Sequence, residues 1–199
     1  MDAPIVLGID PDTRHTAMVL ASAAEIFQVY VIRASSDTEE SSTLRMIHCL
    51  APAFEALARK ADAVVVEGQQ IYTGKSAAST DSILCLAQVA GALAAYANLT
   101  FPGKTVWMPK PSQWKGNVPK LVHHARVLSH YGIDYETGND FCYPSGCSRA
   151  ARIPGYGKTK KSDWKHLGDA LGLALWGAVR TQMLANANDD RRGPSDSIS

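Results

Sequence analysis

Apolar and polar positions change rhythm several times along the chain, and each change marks an element. Residues 4–10 (PIVLGID), 16–21 (TAMVLA) and 25–33 (EIFQVYVIR) are short apolar runs joined by tight polar links, too short for crossover helices. They predict three antiparallel strands in a meander. After the polar SSDTEESS linker, residues 43–60 take up helical spacing, with Pro52 expected to kink the helix or divide it in two. "ADAVVVEG" predicts a buried strand ending at Glu67, residues 78–97 a long Ala-rich helix, "KTVWM" a fifth strand and residues 118–131 another helix. Between Tyr135 and Lys161, Gly, Pro, Ser and basic residues replace periodicity, which predicts a long mobile loop over 135–161. "KSDWKHLGDALGLALWGAVRTQML" reads as a last amphipathic helix with Ser162 as its N-cap, and 186–199 as a disordered polar tail. Three strands followed by α-β-α-β-α predict an α/β fold: a five-stranded mixed sheet flanked by helices, in one domain over 1–185.

Composition narrows the class. The 199 residues are 46% hydrophobic and 20% charged, as expected of one soluble globular domain. No stretch reads as the roughly 20 apolar residues needed to cross a bilayer, and the N-terminus lacks a signal-like run. The expectation is a cytoplasmic protein without a membrane partner. Four cysteines do not make a disulfide framework in a chain of this length, and Cys49 and Cys85 fall in apolar helical patterns that suit reduced, buried thiols.

The net charge is only +1, but its distribution is uneven. Between Ser82 and Ile133 there is no acid, while Lys104, Lys110, Lys115, Lys120 and Arg126 fall in that span with His123, His124 and His130. A second basic run covers Arg149, Arg152, Lys158, Lys160, Lys161 and Lys165, with Asp163 its only acid. Such asymmetry reads equally as a phosphate-binding face or as a solvated surface balanced elsewhere.

Three apolar elements each carry a carboxylate. Asp10 ends the first strand, in "VLGIDPDTRHT", where Asp-Pro-Asp-Thr also opens a good turn; on that segment alone it reads equally as a turn residue. Glu67 follows three valines, and Asp169 lies in "LGDALGLALWG". Neither is explained by turn chemistry, and a buried carboxylate is costly without a partner or a cation. Converging carboxylates repel one another, and hard oxygen ligands favour Mg²⁺ or Mn²⁺. His166 precedes Asp169 by three residues and shares its helix face, whereas Asp163 is rotated off that face and reads as a first-turn acid.

The segments "VLGIDPDTRHT", "VVVEGQQIYTGKSAASTDSILCLAQVAGAL" and "HLGDALGLALWG" resemble the RuvC family of Holliday junction resolvases, endonucleases with the RNase H-like fold. "PKPSQWKG" suggests a phage-type or otherwise divergent branch. The resemblance implies a metal-dependent endodeoxyribonuclease acting at four-way branched DNA as a homodimer, with two Mg²⁺ ions per site and Mn²⁺ as a substitute. It places the metal-binding acids at Asp10, Glu67 and Asp169, with His166 where many members carry another Asp, as either a ligand or the group that positions the attacking water. It also implies that Tyr72 stacks on bases at the junction centre, that Lys120 acts on the scissile phosphate, and that Lys75 and Lys115 contact the DNA backbone. Arg126, Lys158, Lys160 and Lys161 would hold the DNA arms. The Ala-rich helix is apolar around most of its circumference, which suits either a two-fold contact or deep burial within one chain.

Other readings remain. Cys142 and Cys147 could form half a zinc site with remote histidines. Another RNase H-fold nuclease acting on flaps or RNA–DNA hybrids, an actin-like or sugar-kinase-type ATP-binding protein, and a non-catalytic DNA-binding scaffold are the rivals in function.

Overall fold

The computed structural model describes residues 3–34, 42–70, 80–146 and 148–192. One sheet contains β1 (Val6–Asp10), β2 (His15–Ala21), β3 (Ile26–Arg33), β4 (Ala63–Val66) and β5 (Thr105–Trp107), in the order β3-β2-β1-β4-β5. The first three strands pair antiparallel, as the short links require, while β4 runs parallel to β1 and β5 parallel to β4. The parallel strands are reached through α1 (Ser42–Ala58) and α2 (Thr80–Thr100).

Side chains alternate across a strand, so each apolar strand supplies two cores. Leu7, Ile9, Val64 and Val66 pack with Leu50 and Phe54 of α1 and Val89 and Leu93 of α2. Val6 and Val65 pack instead with Leu173 and Ala178 of α6 (Trp164–Arg192). The same alternation turns Gly8 and Asp10 toward α6. A Cβ at Gly8 would lie 2.5 Å from the Ala174 amide nitrogen, so glycine is what lets α6 settle directly on β1. This close approach sets how deeply α6 delivers its own polar residues.

Beside α6 lie the short α3 (Pro111–Trp114), which the periodicity did not reveal, and α4 (Lys120–His130). Pro52 does not divide α1, which runs unbroken from Ser42 to Ala58.

The expected loop over 135–161 is largely structured. It holds a hairpin of β6 (Tyr135–Thr137) and β7 (Cys142–Pro144), then α5 (Ser148–Ala151) and single 3₁₀ turns at Tyr156–Lys158 and Lys161–Asp163. Three-residue strands are too short to show alternation. Apolar anchors hold them, with Cys142, Tyr143, Ala150 and Ile153 entering the core, and the Val29 N–H of β3 donates to Pro154 O at 3.0 Å.

The expected disordered tail is corrected over 186–192, since α6 continues to Arg192, while 193–199 lie outside the described residues. Gly and Pro are absent between Arg180 and Arg192, Ala185 and Ala187 favour helix, and Gln182 Nε2 donates to Asn186 Oδ1 at 3.0 Å.

A third correction concerns α2. Asp81–Thr100 is long and apolar enough to cross a membrane by length and composition, yet only 22% of it is buried. One side joins the core through Val89, Ala90, Leu93 and Ala97, while Leu84 and Leu99 are exposed. Deep burial within one chain therefore does not explain its apolar circumference. Cys49 is exposed and Cys85 half-buried, against the expectation of buried thiols.

Candidate active site

β1 and β4 pair through Ile9 and Val66, and the Glu67 N–H continues the ladder to Ile9 O at 2.9 Å. Their adjacent C-terminal ends deliver Asp10 and Glu67, which are 7% and 9% exposed. From α6 come His166, whose Nδ1 lies 2.8 Å from Asp10 Oδ2, and Asp169, which is 3% exposed. The four residues expected from separate segments thus come together at one end of the sheet. Asp12, two positions on, stays in the turn: its Oδ1 accepts the Arg14 N–H at 2.9 Å.

Basic groups gather on one side of this centre. Lys120, at the start of α4, pairs with Asp169 Oδ2. Lys115 Nζ lies 3.4 Å from Asp169 Oδ1 and 3.8 Å from Glu67 Oε1. His124, one turn after Lys120, reaches Asp169 Oδ1 with Nε2 at 3.2 Å. Lys115 also sits over the Trp114 ring, 4.9 Å from its centroid. Sequence reasoning missed His124 as a partner of Asp169, and it did not anticipate that the Lys115 ammonium faces the acids. The i,i+4 spacing of Lys120 and His124 in "KLVHH" was the available signal.

The charges shift the local protonation equilibria. Burial pushes the Glu67 carboxyl up to about 9, helped by the charges of Asp10 and Asp169, and Lys115 offsets only part of this. Burial would raise Asp169 as well, but the hydrogen bond from His124 and the charges of Lys120 and Lys115 outweigh it and hold the group below the usual carboxylate range. Lys120 is raised because Asp169 and Asp10 overcome the burial that opposes its charge. His166 is raised by its hydrogen bond to Asp10, again against burial. Burial lowers neighbouring His123 to about 4.

The donor set suits a hard divalent cation at the Glu67 side. Glu67 Oε1 is buried without a hydrogen-bond partner, beside the Asp10 carboxylate and the His166 imidazole that Asp10 holds. Among the described residues, no three acidic, histidine or cysteine side chains already form a closed cluster around one point. Asp169 is instead turned to protein cations.

The remaining expected residues divide. Arg126, Lys158, Lys160 and Lys161 are exposed, outside the acidic centre, and Lys161 Nζ stands 3.9 Å from the Tyr143 ring centroid. Asp163 is buried but committed elsewhere, to Arg33 of β3 and to the Lys160 N–H at 2.6 Å. Tyr72, Lys75 and Cys147 lie outside the described residues. Cys142 is buried, and its thiol donates to Leu121 O at 3.5 Å.

Strand order and helix placement give an RNase H-like α/β fold, which solved RuvC-type structures share. Thermus thermophilus RuvC in complex with a Holliday junction substrate matches with a TM-score of 0.60 at 22% identity, covering 90% of this chain and 96% of that one. A second Thermus thermophilus RuvC structure gives 0.57 at 21% identity over the same shares. The yeast mitochondrial Holliday junction resolvase gives 0.53 at 16% identity, covering 94% of this chain and 86% of that one. No family model and no curated protein sequence matches the chain. At these identities the likeness shows the fold.

Proposed function

We propose that the chain is a Holliday junction resolvase, a structure-selective endonuclease that nicks four-way DNA junctions symmetrically during recombination, repair or processing of replication intermediates. The observation that carries this reading is the convergence of Asp10, Glu67, His166 and Asp169 at the strand ends of a resolvase-like fold, with Glu67 Oε1 buried without a hydrogen bond. Asp10, Glu67, His166 and Asp169 would hold two Mg²⁺ ions, or Mn²⁺ in their place, which when bound supply Lewis-acid polarisation of the scissile phosphate and a more acidic water.

The chain's own groups do the rest. Asp10 holds the His166 Nδ1–H, which leaves Nε2 as the one ring atom for either role of this residue, ligating a cation or positioning the attacking water. Lys115 and Lys120 offer two ammonium groups where the phosphate oxygens would arrive. Arg126, Lys158, Lys160 and Lys161 would follow the DNA backbone, joined by Lys75, and Tyr72 would stack on an unpaired base for about 1–3 kcal/mol. The exposed stripe of α2, with Leu84, Ala95 and Leu99, supports a homodimer whose two-fold axis relates two sites and hence two symmetric cuts.

The test is nicking of a synthetic four-way junction in Mg²⁺, with and without chelator, beside a flap and an RNA–DNA hybrid. Symmetric, chelator-sensitive nicks with 5′-phosphate and 3′-hydroxyl ends are expected at the junction. Asp10→Asn should abolish cutting while the junction still binds, and wild-type nicking by that variant would sink the assignment. Preference for the flap or hybrid would make the chain another RNase H-fold nuclease. ATP binding without metal-dependent nicking would favour the actin-like or sugar-kinase reading.

A further inference from the structure

His124 is fully buried, and the structure gives its ring one hydrogen-bond partner: Nε2 meets Asp169 Oδ1 at 3.2 Å while Nδ1 is buried with none. A buried polar atom without a partner costs stability, so a leucine of similar size would make the better core residue here. The facing helix also gives something up. A Cβ at Gly168 would lie 2.6 Å from the imidazole, so α6 carries a glycine in its interior to make room for the ring.

Two sacrifices for one contact point to what the contact does. Lys115 and Lys120 also hold Asp169, but on long flexible stems whose side chains are 16% and 28% exposed. The imidazole is a rigid ring, fully buried and closely packed against Gly168. A carboxylate accepts only, so the ring atom facing Asp169 is an Nε2–H donor.

We propose that His124 is a positioning residue for Asp169: its Nε2–H pins Oδ1 and sets the carboxylate plane before a divalent cation binds. The inference rests on the metal-dependent reading above. Hydrogen-bonded supports behind ligating carboxylates typically change metal affinity 10–100-fold when removed.

The experiment compares His124→Gln, whose Nε2 can reach the same oxygen, with His124→Leu, which keeps the volume and loses the donor. Mn²⁺ affinity is measured by calorimetry, folding by thermal unfolding without metal, and the wild-type ring tautomer by ¹⁵N NMR. His124→Leu should lose roughly 10-fold or more in Mn²⁺ affinity, His124→Gln should recover most of it, and the wild-type ring should be the Nε2–H form. A packing role ranks the two the other way, with Leu better tolerated in every readout. Mn²⁺ affinity of His124→Leu equal to wild type, or an Nδ1–H tautomer, would overturn the proposal. Wild-type protein that takes up no Mn²⁺ would bring down the metal-dependent reading itself, and this inference with it, a result distinct from either variant's.

Discussion

Asp169 and Glu67 are buried to nearly the same degree, 3% and 9% exposed, yet the fold treats them in opposite ways. Asp169 has Lys120, Lys115 and His124 on its two oxygens and stays ionised well below the usual range. Glu67 has another carboxylate beside it, a single ammonium at 3.8 Å and an oxygen without a hydrogen bond, and is pushed up to about 9. Desolvation is common to both, so the difference lies in the supply of positive charge. That supply comes from α4 and the segment before it, on the Asp169 side only. The centre is therefore built with a charge deficit at the β4 end, where a cation brought from solution would gain most.

Glu67→Gln attacks the uncompensated half and should give the largest effects. Junction cleavage should fall by about 10³-fold or more, while the metal-free protein becomes more stable by about 1–3 kcal/mol at pH 8. The folded carboxyl is raised from 4.5 to about 9, so the native state keeps a proton that the unfolded chain releases. Wild-type stability without metal should consequently decline as pH rises from about 4.5 to about 9 because of this group, and the variant should lack that slope. Urea melts at pH 5 and pH 8 in chelator measure it. A variant less stable than wild type at pH 8 would mean that Glu67 is compensated after all.

The opposite sign is expected on the other half. Lys120→Met removes one of Asp169's cations while Lys115 and His124 remain, so the cost should be about 1–3 kcal/mol, below that of a fully orphaned buried charge. Cleavage should fall by about 10²-fold. Thermal unfolding and single-turnover cleavage check the pair of values, and a stabilised Lys120→Met would erase the contrast with Glu67.

Gly168→Ala leaves every charge in place and disturbs the compensated half only through packing. The added Cβ would press on the His124 ring at 2.6 Å and displace it from Asp169. An overpacking cost of about 1–3 kcal/mol is offset by about 1 kcal/mol of helix propensity. A net loss near 1 kcal/mol and an approximately 10-fold loss of cleavage are expected. Cleavage at the wild-type rate would show that Asp169 does not need the ring where it stands.

These contrasts also explain what could be read from the chain beforehand. Asp10, Glu67 and Asp169 were visible because each is a carboxylate carried by an apolar element, and His166 because it stands three residues before Asp169 on the same helix face. The cations were harder. Lys115 and His124 meet Asp169 across 54 and 45 residues; nothing local separates Lys115 from solvated neighbours such as Arg126, and His124 carries only its i,i+4 spacing from Lys120. Asp163 looked like a helix-start acid, and its partner Arg33 lies 130 residues away. The β6–β7 hairpin escaped because its strands are three residues long and its anchoring apolar residues are spaced irregularly.

The last contrast sets the inner lysines against the outer ones. Lys158 is exposed on its 3₁₀ turn and takes no part in the acidic centre, so its proposed role is with a DNA phosphate alone. Lys158→Ala should leave unfolding within about 0.5 kcal/mol of wild type. Junction affinity should weaken a few-fold, and the slope of log affinity against log salt should become shallower by about 0.9, one released counterion's share. Lys120→Met should instead change stability, because its charge is committed to a protein carboxylate. Filter or anisotropy binding at several salt concentrations, with a chelator to prevent cleavage, reads both variants. A salt slope unaltered by Lys158→Ala would remove that lysine from the DNA face.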